Sequence, residues 1–310
     1  MSKGSYGRLS PWFLRRLFFS IVTENLWETR AKGYVKDYRL RIRGNTPDMG
    51  LPGIVFSGCD DVYYQKFAAA FLLSAERIGE PLHIHLHLYG PSQATLDHID
   101  QMRRTLGHVA LSFTWEDDSY KRLALAEPVY FSAARFLVLH HLLLACRAPV
   151  LCVDIDSIVH RPLSDVFPML ERADVTLHFC LAEPQLEQRV MGAAVGMNHT
   201  KEALGFCERL AASAWRGTRL QPLDHFDQAL LYGMYIVRRR LKRRIRWQQM
   251  PSGYLDRDFG EDSSIWAAGG RQLEGGMFAR AALAIEQQFP FDIEAPEMAY
   301  VELRGDGTHG

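Results

Sequence analysis

From Gly53 onward, short apolar runs alternate with longer stretches in which apolar residues recur every three or four positions. The runs at 54–56, 82–88, 109–113 and 150–153 are short and rich in β-branched or aromatic residues, which predicts strands. The stretches 63–77, 92–104 and 131–146 carry helical spacing instead. Two more strands are predicted at 175–179 and 193–197, and two more helices at 201–215 and 225–239. Alternation of this kind builds an α/β domain: a mostly parallel sheet with helices on both faces. No fixed-period repeat or low-complexity tract interrupts it, and beyond about Gly275 the periodicity fades.

Residues 1–50 read differently. Ser10 before Pro11 is a helix start, and Phe13, Leu14, Leu17, Phe18, Ile21 and Val22 then form one apolar face. With Arg15 and Arg16 on the other side, such a helix suits packing on the main domain or lying on a membrane surface. The expected organisation is an accessory segment over 1–50, a main domain over 51–275 and a tail over 276–310.

Composition narrows the function. Apolar residues at 47% and charged residues at 23% exclude a chain that is mainly disordered, collagen-like or coiled coil. Thirty-six basic side chains balance thirty-six acidic ones, so no global field recruits nucleic acid. The first fifty residues are nevertheless basic, with ten cations against four anions. Five scattered cysteines without a CxxC pair fit a reducing cytoplasm. Arginines interrupt the apolar cluster 12–22 and no small-residue cleavage site follows, so no signal peptide is expected. No window holds eighteen uninterrupted apolar residues, so no transmembrane helix is expected either.

The sharpest chemical feature is the stretch 150–156, four apolar residues followed by Asp154-Ile155-Asp156. Two carboxylates at the C-terminal end of a buried strand stand where open α/β sheets bind ligands. Such a pair can converge on Mg²⁺ or Mn²⁺, hard cations that take oxygen ligands and keep positions open for phosphates. Alone, Asp-x-Asp is a common string that also ends ordinary strands in solvated acids. Its context adds Asp60 and Asp61 just past the first strand, Tyr63 to stack on a ring, and Arg135 on the helix leading to the motif. A guanidinium held there suits a diphosphate.

These residues resemble the GT-A fold glycosyltransferases, particularly the retaining family 8 type. Asp60 and Tyr63 keep the spacing of that family's first acidic turn, and Ala134-Arg135-Phe136-Leu137 its Arg-bearing helix. Val150 through Val159 match its Asp-x-Asp strand, and Arg161 through Phe167 the continuation. Asp227-Gln228 match the start of its Asp-Gln-Asp motif. The resemblance covers roughly 53–272. It implies a Mn²⁺ or Mg²⁺ ion on Asp154 and Asp156, and a nucleotide-sugar donor, UDP by default, held by Asp60, Tyr63, Arg135, Asp154 and Gly269. It further implies Asp227 on sugar hydroxyls, Gln228 beside the anomeric carbon, and transfer with retention to a glycan or glycolipid acceptor. Three positions depart from the family: Ala229 replaces the third carboxylate, 190–193 lack its Asn, and Trp266 stands where a metal-binding His is expected.

Three other features invite chemistry. His83, His85 and His87 share one strand face, but neighbours there stand about 6–7 Å apart, awkward for one tetrahedral zinc; packed histidines are the expectation. Arg238 through Arg246 place seven cations in nine residues, either a solvated helix end followed by a strand or a contact for anionic lipid or an acidic acceptor. With the first fifty residues, they suggest a peripheral position at the inner face of a membrane. Gly269, Gly270 and Arg271 fit a plain turn or a backbone approach to the diphosphate. Two rival functions share the motif: a non-catalytic sugar-nucleotide or glycan binder, and a dehalogenase-type phosphatase with Asp154 as nucleophile and Asp156 as acid/base. The phosphatase motif belongs on a first strand, whereas about 100 residues of α/β pattern precede this one.

Overall fold

The computed structural model describes residues 33, 36, 38–117, 127–218, 225–240, 244–268 and 276–289. The amphipathic stretch 11–22 and the glycines at 269 and 270 lie outside them. In chain order the strands are β1 (Arg43–Gly44), β2 (Ile54–Asp60), β3 (Leu82–Tyr89), β4 (Val109–Glu116), β5 (Val150–Val153), β6 (Ser157–Val159), β7 (Val175–Phe179), β8 (Val190–Met197), β9 (Trp247–Gln249) and β10 (Ile265–Ala267). The helices are α1 (Asp61–Ile78), α2 (Gln93–Thr105), α3 (Glu127–Cys146), α4 (Val166–Glu171), α5 (Lys201–Gly217), α6 (Phe226–Arg240) and α7 (Met277–Gln288).

Eight strands form one sheet in the order β1-β4-β3-β2-β5-β8-β7-β9. The central run β4-β3-β2-β5 is parallel, whereas β8 runs antiparallel to both β5 and β7. Alternate residues of one strand enter different cores. Ile54, Phe56, Val150 and Cys152 pack under α3, α5 and α6, while Val55, Leu151 and Val153 pack with α1, α2 and α7. Burial on both faces is why these strands read as unbroken apolar runs. It also explains α3. Val129–Cys146 is long and apolar enough to cross a membrane, yet most of it is buried in this fold as a core helix.

Elements that periodicity did not mark are short or late in the chain. β6 and β10 form a separate antiparallel ribbon, pairing Ser157 with Ala267 and Ile158 with Trp266. α7 lies in the stretch assigned to a tail, and its Phe278 packs edge-on against Phe67 of α1. The basic stretch near 240 ends α6 and leads into β9; Arg238 is buried and Arg246 pairs with Asp174 at 3.1 Å.

The three histidines of β3 are packed, as expected. Ser112 Oγ lies 2.9 Å from His83 Nε2 and 2.8 Å from His85 Nδ1, and Thr114 Oγ1 lies 3.0 Å from His85 Nε2 and 2.9 Å from His87 Nδ1. Burial pushes the His87 imidazole down to about 3 and His85 well below its usual range. His140 and His141 of α3 fall to about 4, mainly through burial, with the charge of Arg39 adding to it. All four stay neutral in the fold while the unfolded chain protonates them near pH 6.5. Their stabilising share is therefore present above pH 6.5 and is lost as pH falls toward 4. Each then removes about 1.4 kcal/mol per pH unit. Glu116 and Asp156 oppose with one carboxyl each: burial raises the Glu116 carboxyl to about 7, although Tyr130 donates to it at 2.7 Å, and burial beside Asp154 raises Asp156 to about 7. Melting temperature is expected to fall steeply between pH 6.5 and 5; a flat profile there would contradict this account.

Candidate active site

Parallel pairing of β2 with β5 brings their C-terminal ends to one edge of the sheet, and the acids follow directly. Asp60 closes β2 and caps α1, its carboxylate accepting from Tyr63 N at 2.8 Å. Ionic cap and local turn together hold Tyr63 outward, 45% exposed, with its ring against Phe67. Burial raises the Tyr63 phenol, and the charges of Asp156, Asp60 and Asp154 raise it further. All three carboxylates are thus within electrostatic reach of one phenol.

Asp154 leaves β5 with its backbone N–H donating to Ala193 O of β8 at 3.2 Å. Asp156 is held by the ribbon, its carbonyl accepting from Ala268 N at 2.9 Å. Desolvation first, and the neighbouring Asp154 charge second, raise the Asp156 carboxyl to about 7. Two carboxylates that repel each other in a half-buried site form a receptor for a cation. Among the described residues no group of three or more His, Cys, Asp or Glu side chains could hold a metal ion. Two carboxylates are a partial set of oxygen donors, of the kind that a hard divalent cation completes with phosphates and water. Trp266 is no ligand: it stacks on His160 with ring centroids 3.8 Å apart, and its indole N–H donates to Gly260 O at 3.0 Å.

Arg135 comes from α3 and is 8% exposed. One guanidinium nitrogen donates to Asp154 at 2.5 Å and another to Asp227 of α6, which is 4% exposed. The guanidinium joins the two acidic motifs, reaching Asp227 across 92 positions of sequence. Gln228 follows on α6. With its amide oriented by the surrounding partners, its nitrogen donates to the carbonyls of Glu187 and Val190 at 3.0 and 3.1 Å, and its oxygen accepts from His225 Nδ1 at 3.2 Å. His225 stands at φ +60°, a left-handed turn that sets the start of α6.

Gly192 of β8 underlies this cluster and was not singled out for chemistry from the sequence. A Cβ there would sit 2.4 Å from Asp227 Oδ2 and 2.7 Å from Arg135 Nη2. A glycine inside a strand is the signal of such a close approach. Both contacted atoms are pinned to each other, so neither can yield freely. Gly192→Ala is expected to lower stability by about 1–3 kcal/mol, as overpacking does, and thermal melting checks it.

The sequence-predicted residues Asp60, Tyr63, Arg135, Asp154, Asp156, Asp227 and Gln228 are thus gathered at one end of the sheet; Gly269 lies outside the described residues. Sequence reading missed Gly192, His225 and Arg257, the last discussed below. No family model and no curated protein sequence matches the chain. Solved structures do. The galactosyltransferase LgtC, determined with donor and acceptor sugar analogues, superposes with a TM-score of 0.54 at 15% identity over 78% of this chain and 98% of its own. The glycosyltransferase GlyE of Streptococcus pneumoniae gives 0.52 at 14% identity over 79% of this chain and 63% of its own. The bifunctional glycosyltransferase WbbM gives 0.51 at 12% identity, and the chain spans only 51% of its length. The Asp-x-Asp motif here ends the central strand of the sheet and follows three longer ones, which removes the ground for the dehalogenase-type alternative. In chain path and sheet architecture, the protein has the GT-A glycosyltransferase fold.

Proposed function

We propose that the protein is a glycosyltransferase that moves a hexose from a nucleotide-diphosphate donor, a UDP-sugar by default, to a glycan or glycolipid acceptor with retention, in the manner of family 8. The observation that carries this reading is the Arg135 ion pairs that bring Asp154 and Asp227 together at the sheet edge where Asp60 ends the neighbouring parallel strand, on a GT-A fold. Asp60 and Tyr63 receive the nucleotide: the ring stacks on a base, and the carboxylate accepts from base or ribose. Asp154 and Asp156 would hold Mn²⁺ or Mg²⁺, which would supply Lewis-acid stabilisation of the leaving diphosphate. Arg135 fixes Asp227, whose remaining lone pairs accept from sugar hydroxyls. Gln228, its nitrogen engaged by two backbone carbonyls and its oxygen accepting from His225 Nδ1, offers the second lone pair of that oxygen to positive charge developing at the anomeric carbon. A cytoplasmic protein lying peripherally on a membrane suits a glycolipid acceptor and the basic chain start.

A panel of nucleotide-sugars, read by released nucleotide with and without Mn²⁺, tests this. Turnover of one donor supports it. A second reading, a sugar-nucleotide binder without transfer, draws on Trp266 packed in place of a third ligand and on Ala229. It predicts tight UDP binding with no release from any donor.

A further inference from the structure

Arg135 is the cation that the sequence places beside the paired aspartates, but its charge is met by Asp154 and Asp227 within the fold. A diphosphate arriving at this sheet edge therefore meets carboxylates first. A second cation is brought there by a part of the chain that carries no motif. Met250 N donates to Leu177 O at 2.9 Å, so the chain leaves β9 along the end of β7. It turns through Ser252–Tyr254 and pairs with β10: Asp256 N donates to Ile265 O at 3.1 Å, and Ala267 N donates to Asp256 O at 2.7 Å. The next residue of that strand, Ala268, donates to Asp156 O on the other side. Arg257 and Asp156 thus flank the same strand, two ladder spacings or about 10 Å apart at the backbone, a gap that a long side chain and an anion can fill together.

The loop that carries Arg257 is stiff. The Asp256 carboxylate accepts from Asp258 N at 2.8 Å, Gly260 N at 2.7 Å and Ser263 Oγ at 2.5 Å. Phe259, at φ +59°, is buried with its ring against Trp266 and Phe278. Arg257 itself is exposed and forms no ion pair with a described residue. Its charge still acts on His178 and Cys180 at the end of β7, depressing the imidazole below its usual range beyond what burial does. Strand pairing thus sets the backbone at Arg257 near the Asp-x-Asp turn, and its charge reaches the end of β7.

We propose that Arg257 is an anion-binding residue of this site and contacts the phosphate oxygens of the donor's diphosphate. This rests on the nucleotide-sugar reading above. An exposed guanidinium on a braced loop, with no ion pair among the described residues, loses little on meeting a phosphate and matches its oxygens two at a time. The same chemistry would serve an acidic group on the acceptor, so the test separates the two sources.

Calorimetric titration with UDP, GDP, ADP and CDP in the presence of Mn²⁺, on the wild type, Arg257→Gln and Arg257→Lys, decides it. The expected result is one nucleoside diphosphate bound by the wild type, about tenfold to a hundredfold weaker binding by R257Q, and partial recovery in R257K. Unchanged melting curves would show that the loop stands. Equal diphosphate affinity in R257Q overturns the inference and leaves the transferase reading intact; a raised KM for an acidic acceptor would then place the charge on the acceptor side. A wild type that binds none of the four overturns both.

Discussion

Asp156→Asn is expected to lower sugar transfer by about a hundredfold or more, the scale of losing one preorganised electrostatic contact to the reacting centre, while the protein melts at the same or a higher temperature. The two effects share one origin. Burial and Asp154 hold the Asp156 carboxyl at about 7, above its usual range. A carboxyl whose folded value is raised costs stability once it ionises, so above pH 7 the neutral amide relieves that cost. The same like-charge pairing is what makes the site a cation receptor. Melting without metal at pH 8, and nucleotide release with Mn²⁺ on the donor that the panel identifies, check the two halves. Near-normal transfer would remove Asp156 from the metal site. A sharp drop in melting temperature would make it a structural acid instead.

Arg135→Met should be costly for a different reason. It leaves Asp227 buried without its cation and directly above Gly192, where no water-filled space separates it from the strand. Breaking a buried pair by removing one partner costs about 3–5 kcal/mol, a fall of about 10 °C in melting temperature for a domain of this size. Adding Asp227→Asn to that variant should recover part of the loss, because the uncompensated charge goes with it. A single variant as stable as the wild type would mean that the guanidinium holds nothing together. Transfer should fall in both variants, since Asp227 would no longer be fixed toward the sugar.

How much of this was legible beforehand depends on the range of the signal. The long strands and helices of 54–240 follow from apolar spacing, because both sheet faces are buried and each face demands its own period. Ser92 and Thr200 mark helix starts by capping, each accepting from a backbone N–H three residues on. Shorter pieces gave no such signal. β6 and β10 have three residues each, below the length at which a period can be seen, and they form only because the fold brings together partners such as Ile158 and Trp266, 108 positions apart in sequence. β8 begins at Val190, before its predicted start, since Gly192 weakens the apolar run where it passes under Asp227.

The candidate site divides along the same line. Residue type and local spacing were enough to single out Asp60, Tyr63, Asp154 and Asp156, because acids placed just beyond a strand point to a ligand edge through local geometry alone, whereas Asp227 and Gln228 were marked only by the family resemblance. Which of them face one another was a matter for the folded chain. Arg135 suits an incoming phosphate when seen in its own helix, and only the approach of α6 to α3 gives its guanidinium to Asp154 and Asp227. Arg257 sits in a loop with no periodicity and no motif, and its place beside Asp156 comes from a strand pairing between distant segments. Local chemistry is written in neighbouring residues, whereas charge partnership depends on distances that the chain acquires only when it packs.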